Sequence, residues 1–317
     1  MLAINNMYRI YLLLLSTLLA SACSDDNDKR LKIEDIDFTS DIVKECVLAS
    51  SSDDGLVYAD ELVEFFCNAT YIDTTADLAN FPNLASVGFH GVGNSSIINA
   101  YDFPGIRNFA LTSSKLNYLD VNNLENLVEL DLQNNLLLTT VDVSNAVKLK
   151  EITISESPLE AIDLINLSEL ESLHLYTKFF YIDEDGNGLV SEGSLISLSL
   201  EYNEKLTEVV ITGARFSSLT LKNHEALTQL IVEGDIQFVD LDLPSLITLN
   251  LESNELGNID LSLLPNIENL NLSSNHLTEI DFSFNPSLAE VDLTNNKWTD
   301  ASLEYLSNID WIENLLY

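Results

Sequence analysis

A pattern of apolar residues recurs about every 21 residues from Leu84 to Trp298. Residues 245–265 and 266–286 show it most clearly, since both read [LI]-x-x-L-x-L-x-x-N-x-L-x-x-I-D-[LF]. A single unit of this size cannot bury its own apolar face, so a fixed period predicts a solenoid in which successive units stack. The functional question then becomes what such a repetitive surface binds.

The first apolar residue of each unit fixes the register. It falls at Leu84, Ile106, Leu127, Leu149, Leu170, Leu206, Leu227, Leu246, Ile267 and Leu288. The successive intervals are 22, 21, 22, 21, 36, 21, 19, 21 and 21 residues. One unit therefore carries a 15-residue insertion and another a two-residue deletion, and ten units share one register.

The spacing inside a unit is that of a β-strand. In L-x-x-L-x-L, alternate residues point to opposite faces, so Leu249 and Leu251 point inward while Asn250 points outward. Neighbouring units then pair as parallel strands. The second half of each unit also alternates, as in I-D-L at 259–261, and we expect a second short strand or extended segment on the opposite side of the coil.

Two polar columns follow from this register. An asparagine three residues after the strand can satisfy turn backbone groups that would otherwise be buried and unpaired. It recurs as Asn135, Asn254, Asn275 and Asn296, with Ser114, Ser157 and Ala214 in its place elsewhere. The second column comprises Asp102, Asp120, Asp142, Asp163, Asp240, Asp260 and Asp281. We interpret these aspartates as structural, either accepting hydrogen bonds from adjacent turns or well solvated.

The chain resembles bacterial leucine-rich repeat proteins with short 21-residue units ending L-x-x-L-D-L, over roughly residues 62–317. The resemblance implies an α/β solenoid of mostly β structure, a right-handed horseshoe with a parallel concave sheet and short extended or β segments on its convex side. It also implies binding as the usual role, without naming the ligand.

A solenoid exposes its core and a strand edge at each end, so both ends need covering. We expect an N-terminal helical cap and a first atypical repeat over 31–83, ten repeats over 84–298 with the insertion at about 178–193, and a C-terminal cap over 299–317. In the last segment, the residues expected to cover the final turn are Leu303, Leu306, Ile309, Trp311 and Leu315.

The N-terminus has the features of a targeting segment. Arg9 precedes an apolar run that ends at Cys23, and LASAC resembles a bacterial lipobox. The resemblance implies a lipoprotein signal peptide over 1–22, lipidation of Cys23 and an acidic tether over 23–30. The tether is similar to export signals of surface lipoproteins, which implies outer-membrane anchoring with the domain facing the cell exterior. A periplasm-facing orientation and an ordinary secretory signal are the alternatives.

Three cysteines leave one pair if Cys23 carries lipid. Cys46 lies in the expected capping helix, and Cys67 takes an inward strand position one unit before Leu84. In an oxidising compartment we expect a Cys46–Cys67 disulfide, which is worth roughly 3 kcal/mol in the chain-entropy model. Two buried free thiols are the alternative.

The formal net charge of −37, with 14 basic residues, argues against nucleic acid as a partner. It also disfavours charge-driven binding to anionic membranes, so we expect membrane contact only through the lipid anchor. The charge is compatible with divalent cations and with a cationic partner, although acidic residues also simply keep a long solenoid soluble.

The sequence predicts a protein that is not an enzyme. It contains no G-x-S-x-G, H-E-x-x-H, Walker or dinucleotide-binding motif. Its four histidines are scattered over different units, with no metal-ligand spacing. Carboxylate pairs are too abundant to indicate a glycosidase.

The middle of the concave face is the candidate ligand site, because aromatic and apolar residues replace polar ones there. The expected contact residues are Thr153, His174, Tyr176, Phe179, Phe180, Tyr181, Val210, Thr212 and Ile231. We expect an unidentified protein partner, as for an adhesin or scaffold, with a glycan or the cell wall as the alternative. A satellite core formed by the aromatic residues of the insertion would also explain them.

Within the insertion, residues 183–194 resemble an EF-hand calcium loop. The candidate ligands are Asp183, Asp185, Asn187, Leu189, Ser191 and Glu192. The last loop position is Ser194 where the motif requires a glutamate. A calcium-stabilised surface protein and an acidic surface hairpin without metal both stay open, and no other cofactor is expected.

If the loop binds calcium, the ion stabilises the folded chain by mass action. Thermal unfolding is then expected at a higher midpoint in calcium than in chelator. An unchanged midpoint would exclude a stabilising role for calcium.

Overall fold

The computed structural model describes residues 30–178, 180–182, 188–190 and 193–317, and only the backbone of 180–182 and 188–190. Of the two units into which the chain divides, the second, Leu31–Tyr317, is compact. The predicted signal peptide, Cys23 and nearly all of the tether lie outside the described residues. None of the helices in the described part is long and apolar enough to cross a membrane.

A single parallel sheet of 12 strands organises the described part of the second unit. Its strands, in both chain order and spatial order, are Glu64–Asn68, Ser86–His90, Asn108–Thr112, Glu129–Gln133, Glu151–Ser155, Ser172–Tyr176, Glu208–Ala214, Gln229–Gly234, Thr248–Asn250, Asn269–Asn271, Glu290–Asp292 and Asn314–Leu316. The expected horseshoe with a parallel concave sheet is confirmed. The ten residues that set the register are all buried, with at most 5% of their surface exposed.

The second half of the coil also forms short strands, as expected. Tyr118–Asp120 pairs with Thr140–Asp142, and Ser218–Lys222 pairs with Phe238–Asp242, all in parallel. An antiparallel hairpin of Phe180–Ile182 and Gly188–Val190 stands in the insertion.

The aspartate column on this side is structural, and it caps its own turns. In five of the seven aspartates the backbone N–H two residues later donates to Oδ1, as Ser144 does to Asp142 (3.0 Å) and Ser262 to Asp260 (2.9 Å). The pKa of the Asp142 carboxyl is lowered mainly by the backbone hydrogen bond from Ser144, and that of Asp260 by the side-chain hydroxyl of Ser262 and then by its backbone N–H. The expectation of hydrogen bonds from adjacent turns holds for Asn122, whose Nδ2 donates to Asp142 from the preceding coil.

The asparagine column forms the predicted internal ladder. Asn275 Nδ2 donates to the carbonyls of Leu251 (2.8 Å) and Leu272 (3.1 Å), while its Oδ1 accepts from Leu256 N–H (3.0 Å). The residue before it, Ser274, adopts φ +57°, which turns the chain at the end of the strand. Asn135, Asn254 and Asn296 make equivalent contacts.

The predicted helical cap covers the first strand. Its helix, Asp41–Asp54, begins after Ser40, whose side chain accepts the N–H of Val43. Buried Asp77 accepts the N–H groups of Thr39 and Ser40 and so fixes the start of the helix. The expected disulfide joins Cys46 to Cys67 and ties this helix to the sheet.

The C-terminal segment covers the last coil only in part. Its helix, Asp300–Ser307, buries Leu306, and Ile309 and Leu315 pack against the core. Leu303 and Trp311 were expected to cover the last turn but are 39% and 47% exposed. Instead, Ile312 is buried as the chain turns into the final strand.

The two ends of the insertion pack closely against Gly213 of the following strand. Gly213 has φ +81° and lies in a β-bulge between Thr212 and Ala214. A Cβ at Gly213 would lie 2.6 Å from Thr177 Oγ1 and 2.7 Å from Gly193 Cα. The backbones at Gly193 and Gly213 lie so close together that neither residue has room for a side chain larger than a hydrogen atom. This explains why both residues are glycines.

Replacing Asn275 with alanine is expected to lower the free energy of unfolding by about 2–4 kcal/mol, because buried carbonyl and N–H groups lose their partner. Chemical denaturation of the full chain measures this. Asn145→Ala, at an exposed turn position, is the matched control and should change stability by less than about 0.5 kcal/mol. Equal effects of the two substitutions would contradict the ladder.

Replacing Gly213 with alanine is expected to cost about 2 kcal/mol or more, from the left-handed backbone and the close contacts. The control is Gly257→Ala, since a Cβ there meets nothing within 4 Å. Denaturation should show the control to be neutral or slightly stabilising. A Gly213 variant as stable as wild type would contradict this packing.

Candidate functional site

The register of the sheet brings the central candidate residues together. Thr153 pairs with His174, His174 with Val210, and Val210 with Ile231. They form one row across four neighbouring strands. In the next row, Tyr176 pairs with Thr212. We call these six residues the central concave site.

His174 and Tyr176 are the half-buried aromatic residues of this site. Their ring centroids are 6.1 Å apart. His174 Nε2 lies 3.4 Å from Glu208 Oε1 and 3.5 Å from Ser172 Oγ, so neighbouring polar groups orient the imidazole. Burial, and secondarily the charge of Glu208, raise the pKa of the Tyr176 hydroxyl above its ordinary value.

Val210 is more enclosed than predicted. It was expected to be exposed, but only 7% of its surface is accessible. His174 and Ile231 pair with it on either side, and strands about 4.8 Å apart let such larger side chains shield a smaller one. Val210 therefore serves as the floor of the site, while His174, Tyr176 and Ile231 are half-buried at its surface.

The insertion lies next to this site in the chain, and part of it lies outside the described residues. That part includes Phe179 and the candidate calcium ligands Asp183, Asp185, Asn187, Ser191 and Glu192. For Phe180, Tyr181 and Leu189 the backbone alone is described, in the hairpin where Tyr181 pairs with Leu189. Their side-chain roles stay predictions.

Two contacts fix the described ends of the insertion to the solenoid. Lys178 Nζ forms an ion pair of 2.6 Å with Glu233 Oε1 on the concave face. Ser194 Oγ donates to the carbonyl of Leu159 (2.8 Å) in the preceding coil. Across the described ranges, no group of three or more histidine, cysteine or acidic residues is arranged to hold a metal ion.

The concave face carries carboxylates in unfavourable surroundings. Burial raises the pKa of Asp131, which pairs with Thr153 across the sheet. Burial also raises the pKa of Glu151, and repulsion from Glu129 and Glu171 adds to the shift. A cationic group that approached this side of the central concave site would stabilise the charged form of both carboxyls.

A recess of about 660 Å³ lies on the concave face towards the C-terminus and was not predicted. Its polar lining includes Thr248, Asn250, Asn269, Asn271, Glu290 and Asp292, and Ile231 joins it to the central concave site. The signal was present in the register, since the outward positions of three successive units are Asn250, Asn271 and Asp292. The amides there offer both donors and acceptors.

A second concave feature missed from sequence is Phe66, which is 55% exposed. It occupies the outward position of the first, atypical strand and pairs with Gly88. A Cβ at Gly88 would lie 2.9 Å from Phe66 Cδ2, so the ring lies over the glycine. The outward-facing residues of successive strands form a column in the sequence register, and continuing that column one unit before Gly88 would have identified Phe66.

The histidines do not form a site. His224 was interpreted as one of four scattered residues, and it is buried in the turn between coils. Its ring nitrogens lie 2.9 Å from the carbonyl oxygen of Lys222 and 3.0 Å from that of Leu200. Asn203 and Asn285 bond to carbonyls at the equivalent position of other coils, so His224 has the same structural role.

No protein-family model matches this sequence, and no curated protein matches it at a significant level. The APL1 leucine-rich repeat domain is similar in structure, with a TM-score of 0.59 and 17% identity over 82% of this chain and 75% of that one. A chain from an octameric complex of latrophilin 3, Unc5D and the leucine-rich repeat protein FLRT2 gives a TM-score of 0.51 and 18% identity, over 82% and 89% of the two chains.

An internalin from Listeria monocytogenes covers 89% of this chain and 96% of its own at 19% identity, with a TM-score of 0.47. Identities this low establish the fold and nothing finer. The uninterrupted parallel sheet, the buried register and the likeness to the first two structures together show that this chain has the leucine-rich repeat fold.

Proposed function

We propose that this protein is a non-enzymatic binding protein that holds a protein partner on the central concave site, against the insertion. The observation that carries the proposal is the pair His174 and Tyr176, two aromatic side chains left half-buried on a concave surface of an acidic molecule. The core does not need them, because inward residues such as Leu173 and Leu175 already fill it.

Aromatic and apolar groups at the centre of a concave surface suit a protein interface. Such groups carry most of the binding free energy when a partner excludes water from them. Val210 provides an apolar floor, and Ile231 continues it towards the C-terminus. The partner would then bury a small apolar centre surrounded by polar contacts, which is the usual arrangement of an interface.

Charge favours a partner with a cationic rim. The molecule has 51 acidic residues against 14 basic ones, and Asp131 and Glu151 are held on the concave face at a cost in burial. Complementary charge would increase the association rate and the specificity more than the affinity. The FLRT2 chain, found with other proteins in an octameric complex, is an analogy in favour of a protein partner.

Display at the cell surface is part of the proposal. The lipobox-like LASAC at 19–23 favours a lipid anchor at Cys23, and the tether favours an outward-facing orientation on the outer membrane. Metabolic labelling with a radioactive fatty acid is expected to mark the wild-type chain and not a Cys23→Ser variant. Equal labelling of both would remove the anchor from the proposal.

Glycan binding is the second candidate, and the amide-lined recess favours it. Asn250, Asn269 and Asn271 present side-chain amides that can pair with sugar hydroxyls. A glycan array probed with the domain that begins at residue 31 separates the candidates from a pull-down of surface proteins. Binding to defined glycans without a protein partner would favour this second function.

Once pull-down has identified a partner, His174→Ala and Tyr176→Ala are each expected to weaken its affinity by about tenfold or more, as central aromatic contacts do. Calorimetry with the purified partner measures the change. Tyr202→Ala is the control, because Tyr202 is 51% exposed outside the concave sheet and should leave affinity unchanged. Unchanged affinity in both site variants would contradict the proposal.

A further inference from the structure

A basic recess lies at the side of the solenoid, away from the central concave site. It has a volume of about 490 Å³ and is lined by Gly105, Arg107, Asn126, Val128, Lys148, Lys150 and Glu169. These residues flank the starts of neighbouring strands, where each coil passes into the concave sheet. Three of the 14 basic residues of a chain with net charge −37 therefore line one cavity. We call it the lateral recess.

Two of these three cations have no carboxylate partner in the described part of the chain. Lys148 Nζ donates to Asn126 Oδ1 (2.7 Å), a neutral amide. Among the described residues, the Arg107 guanidinium has neither an ion pair nor a hydrogen bond to another side chain. Acidic residues outnumber basic ones more than threefold, so two unpaired cations in one cavity are unusual for this molecule.

The nearby carboxylates are already paired. Lys150 Nζ lies 2.6 Å from Glu171 Oε1, and Lys205 Nζ lies 2.7 Å from Glu169 Oε2. Glu151 also lies close enough to interact with the Lys150 ammonium, from the concave side of the strand. The two ion pairs leave the positive charges of Arg107 and Lys148 uncompensated within the lateral recess.

The geometry suits a small anion with several oxygens. Arg107 and Lys148 lie two coils apart, so their backbones are separated by roughly 10 Å, and both side chains line the same cavity. An arginine fork pairs two oxygens of a tetrahedral anion, while a lysine ammonium contributes a point charge. A carboxylate carries one negative charge and would neutralise only one of the two cations.

We propose that the lateral recess binds a divalent oxyanion, a phosphate or sulfate group, through Arg107 and Lys148. The overall negative charge repels anions, but salt at 0.1 M screens charges beyond about 10 Å, so the nearest cations dominate. The site is independent of the partner proposed for the concave face. A ligand carrying such a group would bind across the side of the solenoid.

Equilibrium dialysis of the full chain against radiolabelled inorganic phosphate tests the site. We expect one saturable site, from which sulfate displaces phosphate and acetate does not. A variant with Arg107→Gln and Lys148→Gln should bind phosphate at least about tenfold more weakly.

The control variant carries Lys115→Gln and Lys297→Gln, two exposed lysines outside the lateral recess. It loses the same charge and should bind phosphate as wild type does. Unfolding midpoints of both variants verify that they fold. The absence of saturable binding, equal loss in both variants, or displacement by acetate as effective as by sulfate would overturn the proposal.

Discussion

Each coil of this protein depends on its neighbours for backbone hydrogen bonds, and at four coils a buried asparagine extends this dependence to the turn that follows the strand. At the end of a strand the chain must turn inside the buried core, where its carbonyls need hydrogen-bond partners. The side-chain amide of Asn275 donates hydrogen bonds to one carbonyl of its own coil and one of the preceding coil, and its oxygen accepts a backbone N–H. The core-facing residues of each coil are therefore required for the fold. The residues that point outward from the concave sheet are not, so they can vary and can serve a function.

Two groups of carboxylates differ in how their surroundings treat the negative charge. Turn aspartates such as Asp142 and Asp260 accept backbone and side-chain hydrogen bonds from the serine two residues later, which lower the pKa of the carboxyls and so stabilise their negative charge. On the concave face, burial raises the pKa of Asp131 and Glu151 instead. A cationic partner would stabilise these two carboxylates, whose negative charge is disfavoured by burial on the concave face.

The fold could be predicted from sequence because each coil repeats the same physical requirement. In the strand around Leu249, Asn250 and Leu251, the alternation of apolar and polar residues determines which face of the strand packs against the core. A shift of one residue in the pairing of the strand would turn every side chain to the opposite face. Exposure on the concave face was harder to predict, since it depends on side chains in adjacent strands: Val210 was expected to be exposed and is buried by its neighbours. Phe66 was missed because its unit departs from the repeat.

The role of a polar residue that belongs to no column in the sequence was also hard to predict. His224 has an ordinary structural role in the core, yet nothing in its own unit distinguishes it from a surface histidine. Its role becomes clear only by comparison with Asn203 and Asn285 at the equivalent position of other coils.

The central claim is that a protein partner binds at the central concave site. Photo-crosslinking tests it most directly, with benzoylphenylalanine placed at position 176 or at position 202. The partner should crosslink from 176 and not from 202; crosslinking from 202 alone would contradict binding at the central concave site.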